Sequence, residues 1–296
     1  MRTHRVANAG VTLAVTEWGA ASGPAALLVH GYPDTSAVWR PVAERLARRY
    51  RVIAYDVRGA GASAGPVRRD EFRLRSLIAD LGAVMHAVSP NRAMHLVGHD
   101  WGSIQGWEAV TNPELSHRIA SFTSISGPPL DHAGRWVRRQ ARRRQFGVLA
   151  SQAVRSSYIA AFHLPGAASA AQRFDATTRR LARRLVNAEG VEHDEGWPAA
   201  TLARDVAAGM HLYRANMSGR LARPQVRGTN VPVQLIVATR DRYVSAWLLE
   251  GLDEVAADLR RREIAAGHWV IRSHPAEVAQ AISEHIDRVE GSRAIT

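Results

Sequence analysis

A chain of 296 residues, 46% hydrophobic and 22% charged, holds enough apolar material for a sizeable core and is too balanced to be disordered. It has no cysteine, which excludes disulfides, thiolate catalysis and cysteine-bound zinc and fits a reducing compartment, the cytoplasm. The formal charge of +12 is regional: twelve arginines and a single acid, Asp175, lie between Arg135 and Arg184.

The opening stretch MRTHRVANAGVTLAVTEW is interrupted by Asn8, Gly10 and Thr12 and is too short for a secretory core. No run approaches the roughly 18 apolar residues of a membrane span, so a soluble protein is expected. Residues 25–30 (AALLVH), 51–55 (RVIAY), 93–97 (AMHLV) and 119–125 (IASFTSI) are short apolar runs bounded by Gly, Pro, Asp or Asn, the pattern of buried strands. Between them, apolar residues at three and four spacing predict helices at 36–49, 72–88 and 103–112. Such alternation indicates a parallel sheet covered on both faces. From Pro128 the texture turns arginine- and alanine-rich and helical. A strand returns at 231–238 (VPVQLIVA), followed by a predicted helix near 245–257, a strand near 259–264 and a last helix from Pro275. The expected fold class is α/β, with core segments at 1–129 and 226–296 and a helical lid inserted at 130–225.

The stretch LVGHDWGS, residues 96–103, sets Asp100 between two glycines at the junction of a strand and a helix. That is the layout of a nucleophile elbow, where a strained turn lifts one side chain above the carboxyl end of the sheet. Side chains at Gly98 and Gly102 would collide with the strand and helix. Three further features follow the same logic. His30-Gly31-Tyr32-Pro33 stands where an oxyanion loop is expected, with a Tyr-Pro pair suited to a cis bond. Asp241 follows the strand at 231–238, and His268 follows the next one. Nucleophile, acid and histidine, each just past a strand end, is the chain order of α/β-hydrolases.

An aspartate in the serine's place changes the chemistry. It is already an anion at neutral pH, a modest nucleophile suited to strained or activated sp³ carbon such as an epoxide or alkyl halide. His268, oriented by Asp241, would then activate water against the ester on Asp100, with backbone N–H groups of Tyr32 and Trp101 as oxyanion donors.

HGYPD, DVRGAGAS at 56–63, GHDWGS and AGHW together make the chain resemble the epoxide hydrolases of the α/β-hydrolase fold over nearly its whole length. The stretches TLARDVAAG, VPVQLIVATRD and SFTSISGPPLDH are similar to the hydrolase half of actinobacterial proteins of the mycobacterial epoxide hydrolase D type. There an epoxide hydrolase module precedes a short-chain dehydrogenase. No Gly-rich dinucleotide fingerprint occurs here, and no dehydrogenase activity is expected. The resemblance implies two lid tyrosines that hydrogen-bond the epoxide oxygen, and Tyr158 and Tyr213 match their contexts. It also implies a substrate site lined by His30, Pro33, Trp101, Tyr158 and Tyr213, a small hydrophobic epoxide as partner, and no cofactor.

Two other readings compete. A haloalkane-type dehalogenase shares the aspartate elbow but lacks the tyrosine pair and usually carries asparagine where Tyr32 stands. A noncatalytic module would bind anionic lipid or an acidic partner through Arg135, Arg138, Arg139, Arg142 and Arg143, one face of a helix, echoed by Arg179, Arg180, Arg183 and Arg184. A hydrolase peripheral to an anionic membrane reconciles both features. Nothing resembles a nucleic-acid reading motif. Glu192, His193, Asp194 and Glu195 are adjacent in a Gly-flanked polar stretch, which reads as a solvent loop and not a metal site.

Overall fold

The computed structural model describes residues 1–63, 68–191, 194 and 196–293. Glu192, His193 and Glu195 of the expected solvent loop lie outside the described residues. The chain opens with a hairpin, β1 (Arg2–Asn8) and β2 (Val11–Trp18), closed by Ala9 and Gly10 at φ 44° and 80°. Positive φ at both turn residues matches the strand twist that two-residue hairpins need. Then come β3 (Ala25–Val29), α1 (Arg40–Leu46), β4 (Arg51–Tyr55), α2 (Leu74–Val88), β5 (Met94–His99), α3 (Trp101–Val110) and β6 (Ile119–Ile125). Six helices follow before the sheet resumes: α4 (Leu130–Arg142), α5 (Phe146–Arg155), α6 (Tyr158–His163), α7 (Ala167–Arg173), α8 (Asp175–Asn187) and α9 (Leu202–Ala222). The chain closes with β7 (Val233–Ala238), β8 (Leu259–Ile264), α10 (Val270–Ser273) and α11 (Pro275–Arg293).

The strands form one eight-stranded sheet in the order β1-β2-β4-β3-β5-β6-β7-β8, parallel from β4 to β8 and antiparallel at β1 and β2. Side-chain alternation sorts its residues to two cores. Leu27, Val29 and Ile53 face Leu77 and Leu81 of α2, whereas Ala26, Leu28 and Val52 share the opposite core with Val278 and Ile282 of α11. Strand order reverses at β3, whose neighbours are β4 and β5. The carboxyl ends of β3 and β5 therefore flank the crevice where open α/β sheets place ligands. Beneath β2 and α2, Arg58 and Asp80 form a buried ion pair, with Nε to Oδ2 at 2.6 Å and an added donor, Asn8 Nδ2, at 2.8 Å from Oδ1. The two border strands carry charge: Arg2 and Arg5 on β1, and Arg260, Arg261 and Arg262 on β8.

Two expectations need correction. The predicted helix near 245–257 is instead two 3₁₀ turns, Ala246–Leu249 and Leu252–Glu254, separated by Gly251 at φ 80°, a left-handed residue that cannot continue a helix. The arginine face of α4 is only partly free. Arg135 donates to the Gln225 carbonyl, Arg138 to that of Ala222, and Arg139 pairs with Glu254 at 2.7 Å. Three of the five arginines of that face thus bind the protein's own chain. Among the described residues no helix is long and apolar enough to cross a membrane.

Candidate active site

Asp100 stands between β5 and α3 with φ 53° and ψ −121°, the strained turn conformation expected of the elbow. A Cβ at Gly98 would drive into the Gly102 carbonyl, and one at Gly102 into the Val29 carbonyl, so strand and helix approach as closely as they do only because both positions are glycine. The Asp100 backbone N–H bonds the Ile125 carbonyl at 2.9 Å, tying the turn to β6.

The Asp100 carboxylate is buried, and its oxygens have different surroundings. Oδ1 accepts the Tyr32 N–H at 2.7 Å, and the Trp101 N–H also bonds the carboxylate. Oδ2 lies 3.7 Å from His268 Nε2. On the other side of that ring, Nδ1 is 2.9 Å from Asp241 Oδ2, so Nδ1 carries the proton and Nε2 is the nitrogen left facing Asp100. Asp241 Oδ1 accepts the N–H groups of Tyr243 and Val244 at 2.7 and 3.0 Å.

These contacts set the charges. Burial pushes the Asp100 carboxyl up to about 6, although His268 and the two backbone donors oppose it. Burial works against a charged His268, yet Asp241, by its charge and hydrogen bond, and Asp100 together lift the imidazole to about 9. Burial would also raise Asp241, but the His268 cation and the backbone donors hold it below the usual carboxylate range. At neutral pH the trio therefore consists of two carboxylates around one imidazolium.

Tyr158 and Tyr213 arrive from the helical insertion, with hydroxyls 3.5 Å apart. The Tyr213 ring meets Trp101 edge-on at 5.0 Å and Tyr32 at 5.4 Å. Burial raises both phenols above their ordinary value; for Tyr158 the charge of Asp100 adds to that, and for Tyr213 the neighbouring phenol and Asp100 do. Both remain protonated donors at neutral pH. His30, Tyr32, Pro33 and Trp101 line a space of about 20 Å³, room for about one water. The Tyr32-Pro33 peptide is cis. His30 accepts the Val57 N–H on Nε2 at 2.9 Å and donates from Nδ1 to Gly31 at 2.8 Å, so both ring nitrogens brace the loop and neither is free for a ligand.

The family model described as alpha/beta hydrolase fold matches residues 24–275. The chain belongs to the alpha/beta hydrolase fold family. This hydrolase is 37% identical over 299 residues to a Mycobacterium tuberculosis protein named Probable oxidoreductase EphD, covering 96% of this chain and 49% of that protein. The chain thus spans about half the length of the first curated relatives it matches. It is also 27% identical over 329 residues to Epoxide hydrolase A of the same organism, covering 95% and 96% of the two chains. A Bacillus megaterium epoxide hydrolase, solved with an inhibitor, superposes with a TM-score of 0.80 at 21% identity, covering 96% of this chain and all of that one, a likeness of fold.

Several residues around the hydrolase's histidine escaped the sequence reading. His99 Nε2 donates to the His268 carbonyl at 2.9 Å, and burial keeps this ring neutral, lowering it to about 3. Asp34 accepts the indole N–H groups of Trp197 and Trp269 at 2.8 and 3.0 Å, joining the β3 loop, the insertion and the residue after His268. From α5, Arg155 donates to the Asp241 carbonyl at 2.6 Å and Gln152 to that of Tyr243 at 2.9 Å. HGYPD and AGHW hinted at Asp34 and Trp269. Nothing local signalled Arg155 or Gln152, whose partners lie 86 and 91 residues away.

Proposed function

We propose that this protein is an epoxide hydrolase that opens a small hydrophobic epoxide to a vicinal diol through an ester on Asp100. The observation that carries the reading is the pair of protonated phenols, Tyr158 and Tyr213, with hydroxyls 3.5 Å apart beside a buried carboxylate. A halide leaves without a donor; an epoxide oxygen does not, because it departs as a strongly basic alkoxide.

In this scheme Asp100 Oδ2, the oxygen facing His268 Nε2 and not the one that accepts from Tyr32, attacks one epoxide carbon. The Oδ2–C bond forms, the C–O bond of the ring breaks, and the oxygen takes a proton from the phenol pair, which the proton of the His268 imidazolium replaces, leaving the imidazole neutral. Oδ1 is then the ester carbonyl oxygen, already at 2.7 Å from the Tyr32 N–H, with Trp101 as second donor. His268 Nε2 takes a proton from water, which adds to Cγ. Negative charge collects on Oδ1, the Cγ–Oδ2 bond breaks, and Oδ2 takes the remaining proton of the added water, so that the diol leaves carrying the original Oδ2 while the water oxygen stays on Asp100 as part of the carboxylate. Asp241 fixes the ring and stabilises its cation. The helical stretch 130–225 acts as the lid that brings the tyrosines and closes the site.

The test follows from the oxygen bookkeeping. In a single turnover in heavy-oxygen water with enzyme in excess, the label enters the peptide bearing Asp100 and the first diol is unlabelled. Label confined to the diol would sink the ester route.

The proposal extends to where the substrate is met. Of the twelve arginines between Arg135 and Arg184, seven are exposed and have neither an ion-pair nor a side-chain hydrogen-bond partner among the described residues: Arg142, Arg143, Arg144, Arg173, Arg180, Arg183 and Arg184. Exposed apolar side chains are interleaved with them, namely Phe146, Phe174, Leu181 and Leu185. Cations around exposed apolar groups suit peripheral contact with an anionic bilayer. Flotation with phosphatidylglycerol vesicles and not with phosphatidylcholine supports this; equal flotation, or none, counts against it.

A further inference from the structure

The helical insertion meets the His268 loop through one carboxylate. Glu189 follows α8 by two residues, and its Oε2 accepts the Trp269 N–H at 3.1 Å. On the other side of His268, Gly267 approaches so closely that a Cβ there would strike the same oxygen. A single carboxylate therefore bears on both chain neighbours of the histidine. Its second oxygen, Oε1, is buried and has no hydrogen-bond partner among the described residues. Leaving a buried carboxylate oxygen without a donor is unfavourable, and a nearby positive charge compensates it. The cation closest at hand in chemistry is the imidazolium of His268.

We propose that Glu189 is a positioning residue, supplied by the insertion, that holds the His268 loop in register and favours the protonated imidazole. The proposal rests on the reading of His268 as the base of an ester-forming hydrolase. It adds that docking of the insertion and the charge of the base are linked, because the carboxylate that makes one contact supplies the other.

The neighbourhood has few other charges. His268 faces Asp241 and Asp100, whose negative charges act in the same direction as that of Glu189. The rings of His99, Tyr243 and Trp269 pack against it at 4.9, 4.9 and 5.2 Å. His99 is neutral, and Asp34, which binds the Trp269 indole, adds a further negative charge that interacts with the imidazolium. Around Glu189, burial raises the carboxyl; the Trp269 N–H, His268 and Arg242 pull it down, while Asp241 pushes it up. Glu189 shares with Asp241 the role of holding a proton on the imidazole, but reaches it from the insertion and not from the sheet.

The decisive variant is Glu189→Gln, which keeps an acceptor for Trp269 and removes the charge. Ring resonances of His268, assigned by their loss in His268→Gln, report its titration without any turnover. In Glu189→Gln we expect the midpoint to fall by on the order of half to one unit. The pH limb of ester hydrolysis should fall with it, while the acid limb set by Asp100 stays in place. Glu189→Asp should restore the midpoint in part, and Glu189→Ala should shift it as far as Glu189→Gln and slow hydrolysis further. A His268 midpoint that is the same in wild type and Glu189→Gln overturns the proposal. If the midpoint shifts but no epoxide is opened, the link between Glu189 and His268 stands and the proposed activity falls.

Discussion

His268 Nε2 stands 3.7 Å from Asp100 Oδ2, too far for a hydrogen bond and near enough for each charge to stabilise the other. The Asp100 charge thereby helps to keep His268 protonated. In the proposed scheme, alkylation would remove that charge and with it part of what lifts His268, so formation of the ester would itself ready the imidazole to accept a proton.

The two half-reactions should therefore have different pH limbs. Asp100 must be ionised to attack, so single-turnover alkylation should fall about tenfold per unit below pH 6. Ester hydrolysis needs neutral His268 and should rise to a limb lying below 9, because the Asp100 charge is gone by then. Stopped-flow tryptophan fluorescence over pH 5 to 10 separates them; alkylation that is flat across pH 5 to 8 contradicts the assignment.

Removing the base should trap the intermediate. His268→Gln is expected to form the ester and stall, giving a protein heavier by one epoxide in intact mass, and Asp100→Ala should show neither adduct nor turnover. An adduct of equal yield on Asp100→Ala would place the nucleophile elsewhere.

Losing one phenol should slow ring opening and leave ester hydrolysis untouched. A single preorganised donor is worth about 10²–10³ in rate, and the surviving tyrosine can cover part of that, so Tyr158→Phe and Tyr213→Phe should each lose on the order of tenfold to a hundredfold in alkylation. The double variant should lose more than either. Single-turnover rates with styrene oxide make the comparison.

The buried Asp100 carboxylate should weaken the fold. The Asp100 carboxyl is raised to about 6, roughly two units above its ordinary value, a penalty of order 3 kcal/mol. That penalty is full above pH 6 and disappears as pH falls below the unfolded value. Asp100→Asn, which keeps the acceptor for Tyr32, should accordingly be more stable than wild type at pH 8 by about 1–3 kcal/mol, with the difference shrinking at pH 5. Urea melts at the two pH values measure it.

Asp80→Ala should leave Arg58 buried without its partner and destabilise the fold by about 3–5 kcal/mol. A urea midpoint within error of wild type would mean the pair contributes little.

Most of the framework was legible because it is local. Five of the six predicted strands are largely apolar runs, and all six, including the arginine-rich 259–264, formed within two residues of their expected bounds. The elbow was legible because Gly98, Asp100 and Gly102 lie within one turn. The hairpin β1–β2 was passed over, although VTLAVTEW alternates buried and half-buried residues and Ala9-Gly10 is its turn. The failed helix at 245–257 had the right apolar spacing, but spacing does not register a left-handed glycine at its middle. Glu189, Arg155 and Gln152 left no trace, since their importance is conferred by loops that only the folded chain brings beside them.

The arginines along both borders of the sheet have a consequence for behaviour in concentrated solution. β1 and β8 expose rows of backbone donors and acceptors that a second molecule's border strand would match. Arg2 and Arg5 on one margin and Arg260, Arg261 and Arg262 on the other outnumber the carboxylates Glu17, Glu263 and Glu284 that pair with some of them, so such a pairing brings net positive charge together. Repulsion of this kind is screened by salt, so the protein should stay dispersed in dilute buffer and lose that protection as ionic strength climbs.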